Sequence, residues 1–280
     1  MLKRTLKYSI NNIQQSINKY KVNKTKKILS FSGIALIAVI IGAYLLFSDS
    51  TLCKSIDVEI LGDTENHIID EEHIKKIVLG DYPSIIGDAL NTVNLSDLEN
   101  KIESYPAVKN AEVYTKINGV LAIKLEQRMP IVRIMPIKGN DFYLGLEGLL
   151  MPVSNIGSAR VLVVNGNVNF DYKNNRISIE DTTVTEKIKE IYKISKVISE
   201  DEFLTAQTTQ VFVKPNGEYE LIPTVGNHIV LFGKINNYEK KLKYLKHFYL
   251  NILKNEGWRK YKHISLKYNN QLVCTLSDKD

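Results

Sequence analysis

Within the 280 residues there is no glycine-rich phosphate loop, no G-x-S-x-G elbow and no G-x-G-x-x-G turn. The five histidines, His67, His73, His228, His247 and His263, never stand at a metal-pair spacing such as H-E-x-x-H. Nothing here supports an enzyme, a cofactor or a small-molecule substrate. Glu71-Glu72-His73 reads as a solvated helix start, where acids favour the dipole. Cysteine is scarce. Cys53 and Cys274 are the two, which excludes a disulfide framework while leaving open that they pair in an oxidising compartment. Internal repeats and long low-complexity linkers are also missing.

Acidic residues are absent from positions 1–27, which carry eight of the 37 Lys and Arg. The remaining chain sets 29 basic residues against 31 acidic ones, so it has no broad basic field for nucleic acid. Charge is absent altogether from Ile28 to Phe47, ILSFSGIALIAVIIGAYLLF. A helix of about 20 apolar residues spans roughly 30 Å, the thickness of a bilayer core. The expectation is a transmembrane helix over 28–47 with a basic cytoplasmic tail over 1–27, the remainder lying across the membrane. A cleaved signal peptide fits less well, because the apolar run exceeds a signal core. Lipoprotein processing fits less well still, because Leu52 precedes Cys53 where a small residue is needed. Leu6, Ile10, Ile13 and Ile17 recur at helical spacing, so the tail is either an amphipathic helix on the inner leaflet or a disordered basic leader.

Beyond the apolar run, Ser55–Leu61 alternates polar and apolar residues and predicts a strand ended by Gly62. Asp70 can cap a helix running to about Leu79, with Gly80 as its stop. Ser96-Asp97-Leu98-Glu99 reads as a capping box for a second helix, ended by Pro106. Val108–Ile117 and Val120–Glu126 alternate on either side of Asn118-Gly119, the preferred pair for a two-residue hairpin in which both central residues take positive φ. Strand–helix–helix–strand–strand makes a small α+β domain.

Short strands follow at 131–135, 142–144, 149–153 and 160–164, then an Asn-rich loop over 165–175. Val184–Ile198 is expected to be a helix with Ile188, Ile191, Ile194 or Ser195, and Ile198 on one face. Strands at 208–214, 218–222 and 227–232 follow. A long helix over 236–255 should turn Tyr238, Leu242, Leu245, Phe248 or Tyr249, and Ile252 inward and its lysines outward. The last strands, 262–268 and 271–276, flank Asn269-Asn270.

Several segments, in order, carry a resemblance. Tyr105-Pro106-Ala107-Val108-Lys109-Asn110-Ala111-Glu112-Val113 resembles the Leu-Pro-Trp-Val-x-x-Ala-x-Val of the FtsQ/DivIB family of bacterial cell-division proteins. Leu125-Glu126-Gln127-Arg128-Met129-Pro130-Ile131 resembles its Val-x-Glu-Arg-x-Pro-Val, and Tyr143-Leu144-Gly145-Leu146-Glu147-Gly148 its Leu-Val-Asp-x-x-Gly. Ile264-Ser265-Leu266-Lys267-Tyr268-Asn269-Asn270 resembles Val-Asp-Leu-Arg-Tyr plus a turn. Ala107 for Trp, Gln127 displacing the Glu-Arg pair, Ser265 for Asp and Lys267 for Arg mark a divergent branch.

The resemblance implies an α+β fold class: a single N-terminal transmembrane helix, a POTRA-type domain over 54–126, and a mainly antiparallel β domain with two packed helices over 127–280. It implies a bitopic inner-membrane scaffold of the divisome at the division septum, with periplasmic C-terminal domains. Such a protein recruits septal cell-wall synthesis proteins and has no enzymatic activity. Its partners would be FtsB and FtsL, with the septal synthase FtsW/FtsI as a further candidate. Docking would be strand addition at the C-terminal sheet edge. By resemblance the contacts are Lys267, Tyr268 and Asn270. The strand pattern adds Leu266, Leu272 and Val273. A transport-associated POTRA protein that chaperones envelope clients is the alternative.

Overall fold

The computed structural model describes residues 37–42, 51–62, 66–153, 158–173 and 175–277. By compactness the chain separates into Met1–Ser50 and Thr51–Asp280. Of the first part only 37–42 is described, as helix. Among the described residues no helix is long and apolar enough to cross a membrane. This corrects the expected 28–47 transmembrane helix, and with it the bitopic topology, the membrane as a single-span partner, and the inner-membrane and periplasmic placement. The rest of that stretch and the 1–27 tail lie outside the described residues.

Thr51–Asp280 holds two cores. The first is built on β1 (Ser55–Leu61), β2 (Val108–Thr115) and β3 (Val120–Gln127), in the order β1-β3-β2, with β1 parallel and β2 antiparallel to β3. Helices α1 (Glu71–Asp81) and α2 (Leu95–Ser104) turn Ile74, Val78, Leu98 and Ile102 onto this sheet. Burying each of these side chains is worth roughly 1.5–3 kcal/mol. Asp70 caps α1 as expected, accepting from Glu72 N. Gly80 does not stop it; the helix runs to Asp81. The expected capping box at Ser96 is replaced by Asn94, whose side chain accepts from Asp97 N. The β2–β3 turn also differs. Among the described residues only Asn237 and Asn270 are non-glycines at positive φ, so Asn118 is not in the left-handed region. Gly119 N donates to Lys116 O (3.0 Å) and Lys116 N to Val120 O (2.8 Å), with Gly119 at φ +87°. That is the three-residue turn in which a glycine closes the bulge. Lys214 to Glu218, with Gly217 at φ +79°, repeats it.

The second core lies under a ten-stranded sheet. Its strands are β4 (Pro130–Ile134), β5 (Phe142–Gly145), β6 (Leu149–Pro152), β7 (Leu162–Gly166), β8 (Ile177–Ser178), β9 (Thr208–Val213), β10 (Tyr219–Pro223), β11 (Ile229–Gly233), β12 (Tyr261–Ser265) and β13 (Val273–Leu276). The order is β13-β12-β11-β10-β9-β7-β4-β5-β6-β8. The sheet is mixed. β4 with β7, β7 with β9, and β11 with β12 are parallel. The latter two pairs are joined through helices, because parallel neighbours need a crossover. One crossover carries α3 (Glu186–Ser199) and α4 (Glu202–Gln207), the other α5 (Tyr238–Phe248). The short α4, capped by Asp201 onto Leu204 N, is a third packed helix where two were expected.

Helix α3 buries Ile188, Ile191, Ile194, Ser195 and Ile198, the expected face. The long helix departs from expectation at its end. A π-helical turn over Tyr249–Leu253 follows α5. The extra residue per turn shifts the phase, so Phe248 and Tyr249 both face the core and Leu253 replaces Ile252, which is 42% exposed.

Strand β5 is buried at all four positions because a core lies on each side of it. Alternation sends Phe142 and Leu144 into the second core and Tyr143 into the first, where Met151 of β6 joins it. Gln127, at the end of β3, is held within the first lobe: its Oε1 accepts from Ile68 N (2.7 Å) and Ile69 N (3.1 Å), and its Nε2 donates to Asn66 O (2.8 Å).

Candidate functional site: the β13 sheet edge

β13 ends the ten-strand order and, among the described residues, pairs only with β12. Tyr261–Ser265 is shorter than the expected 262–268, so Tyr268 lies beyond the strand. Leu266 still donates to Leu231 O (2.9 Å) and is 2% exposed. The chain then reverses through Asn270 at φ +59° into Val273–Leu276. An Asn tolerates that left-handed position better than most residues. Its Oδ1 accepts from Lys240 Nζ (2.7 Å), which fixes the turn against α5.

The six expected contact residues therefore divide. Leu266 is a core residue. Lys267 is engaged inside the domain, its ammonium 2.6 Å from Glu218 Oε2. That bond holds the Glu218 carboxyl below its ordinary pKa. Asn270 shapes the turn. Leu272 is half-buried against the second core. Tyr268, at 55% exposure, and Val273 remain accessible. Thr275 and Leu276 were missed. Both are exposed, Leu276 at 61%. Cys274 and Leu276 share the inward face of β13, but only Cys274 packs on the core. The cue in the sequence was the alternation of Val273-Cys274-Thr275-Leu276. Both thiols are free, Cys53 in the first core and Cys274 against the second, and burial pushes the Cys274 thiol pKa up.

Tyr268 stands apart from the aromatic group beneath β12. There Tyr249 meets Trp258 at 5.6 Å and His228 at 5.5 Å between ring centroids. Tyr268 shares a shallow concavity with Lys240, Lys241 and Tyr244. Lys241 departs from the expected outward lysines. It is buried, donating to Lys234 O (2.7 Å) and Phe232 O (3.1 Å), and desolvation lowers its pKa. The surroundings of Tyr268 are thus basic.

The other sheet ends are less available to a partner strand. β8 has only two residues. The outer N–H groups of β2 are occupied from α2, Ala111 N donating to Glu103 Oε1 (3.0 Å) and Val113 N to Glu99 Oε1 (2.8 Å). β1 exposes Asp57 and Glu59, charges that oppose edge pairing.

Fold and edge together define a class: a POTRA-like unit packed against a mixed-sheet domain, with no catalytic constellation among the described residues. A POTRA-like domain matches residues 51–126. The family described as FtsQ/DivIB, C-terminal related matches residues 129–275, more than half of the chain. The chain belongs to the FtsQ/DivIB, C-terminal related family. Domains of this type are non-catalytic scaffolds, and the chain is not an enzyme. Among the described residues no cluster of His, Cys, Asp and Glu could hold a metal ion. Among curated proteins, none matches the chain.

Proposed function

We propose that the chain is a division scaffold of the FtsQ/DivIB type that takes up an extended segment of another division protein beside β13. The observation that carries this reading is the combination of a terminal strand whose outer edge has no strand partner among the described residues with exposed apolar side chains at Tyr268, Val273 and Leu276. Main-chain bonds to the β13 edge supply affinity, and side chains at alternate positions supply specificity. A segment laid there covers Leu276, and a carboxylate on it would meet Lys240. The match of residues 129–275 to a division family favours this reading over the transport alternative.

The test is Tyr268→Glu in the full chain, recovered from dividing host cells with its partners. Tyr268 is exposed, so the far-UV spectrum should not change. A central aromatic contact is worth about 2 kcal/mol or more, so recovery of division partners should fall about thirtyfold. Undiminished recovery would overturn the β13 assignment.

A further inference from the structure

A cavity of about 420 Å³ opens where Gln127 and Arg128 lead from β3 into β4. That is the size of a small-molecule site. Ile131, Leu149, Val161, Leu162 and Ile198 give it largely apolar walls. Met129 and Leu146 also line it and are 61% and 39% exposed, so apolar surface continues to the solvent. Its charges do not cancel. Lys109 pairs with Glu126 at 2.8 Å and Arg128 pairs with Glu147. Arg160 has no carboxylate partner among the described residues, and it is exposed. Arg128 Nε is buried and lacks an acceptor. The site therefore holds one uncompensated guanidinium, one unused buried donor and room for an apolar chain.

We propose that this cavity binds a single-chain amphiphile with one negative charge, a long-chain carboxylate. The acyl chain lies along the Ile131–Leu162–Ile198 wall. The carboxylate bonds to Arg160, whose planar fork suits two parallel bonds to it. Arg128 Nε offers a further donor. The site is independent of the β13 edge. It touches both lobes, so an occupant would stiffen their junction.

The test uses the full chain and a diazirine-bearing analogue of dodecanoic acid, with labelled peptides mapped by mass spectrometry. Labels should concentrate in 128–131, 146–149 and 160–162. Laurate should displace them, and across a series of chain lengths displacement should strengthen about fourfold per methylene. Arg160→Glu alters an exposed side chain and should leave the fold intact while cutting labelling at least tenfold. Dispersed labels, unchanged labelling of Arg160→Glu, or equal displacement by dodecanol would overturn the proposal. Displacement by dodecyl phosphate but not by laurate would overturn the carboxylate assignment.

Discussion

Replacing Gln127 by Leu keeps the volume of the side chain and removes both of its hydrogen-bonding functions. Ile68 and Ile69 are 0% and 3% exposed, and Gln127 Oε1 is the acceptor for both of their N–H groups. Leaving a buried donor unmatched costs about 1–3 kcal/mol. Water reaching one of the two would reduce the total, so the loss should be about 2–4 kcal/mol. For a unit of this size each kcal/mol moves the midpoint by roughly 2–4 °C, which gives a fall of about 5–15 °C. Gln127→Glu is the informative control. It retains the acceptor but sets a carboxylate oxygen against Asn66 O in place of the Nε2 donor, so it should recover only part of the loss. The assay is thermal unfolding followed by far-UV circular dichroism and by Trp258 fluorescence. Hydrogen exchange at Ile68 and Ile69 should accelerate in the Leu variant before global unfolding. A midpoint within 2 °C of wild type, with unchanged exchange at those two amides, would refute the role given to Gln127.

Three further outcomes are expected. Glu99→Ala with Glu103→Ala frees the outer N–H groups of Ala111 and Val113, and sedimentation should show stronger concentration-dependent self-association than wild type. His228 sits buried with its Nε2 2.9 Å from the Tyr249 hydroxyl, and desolvation lowers its pKa. The folded imidazole therefore stays neutral while the unfolded one takes up a proton, so stability falls as pH drops below about 6.5; His228→Gln should flatten that slope, and an unchanged slope would refute the cause. Gly148 sits at φ +76°, where an added Cβ would lie 2.7 Å from Ile179 Cγ2, so Gly148→Ala should cost about 1–3 kcal/mol in denaturant unfolding.

What the sequence revealed was local. Asp70 as a cap, the buried stripe from Ile188 to Ile198 and the alternation on either side of Asn118-Gly119 all depend on neighbours within a turn or a strand. The expectations that failed depend on distant contacts or on small changes of phase. Tyr249–Leu253 winds as a π turn and exchanges Ile252 for Leu253, an offset that an ideal 3.6-residue period does not contain. Lys241 points inward because carbonyls of Phe232 and Lys234 meet it across the β11–α5 loop. The apolar run from Ile28 to Phe47 has the composition of a membrane span, yet no helix among the described residues is long and apolar enough to cross a membrane. At the β13 edge the motif around Tyr268 was legible. Burial of Leu266 and the ion pair of Lys267 with Glu218 were not, because they arise where the chain crosses back over β11 and the β9–β10 turn.

The most direct test of the β13 docking surface is a photo-crosslinking amino acid placed at Thr275 of the full chain in its dividing host. A second chain carrying it at Lys243, an exposed position on α5, is the comparison. The account predicts a discrete adduct with a division protein from Thr275, absent from Lys243 and abolished by Tyr268→Glu. Identical adducts from both positions, or a Thr275 adduct indifferent to Tyr268→Glu, would contradict it.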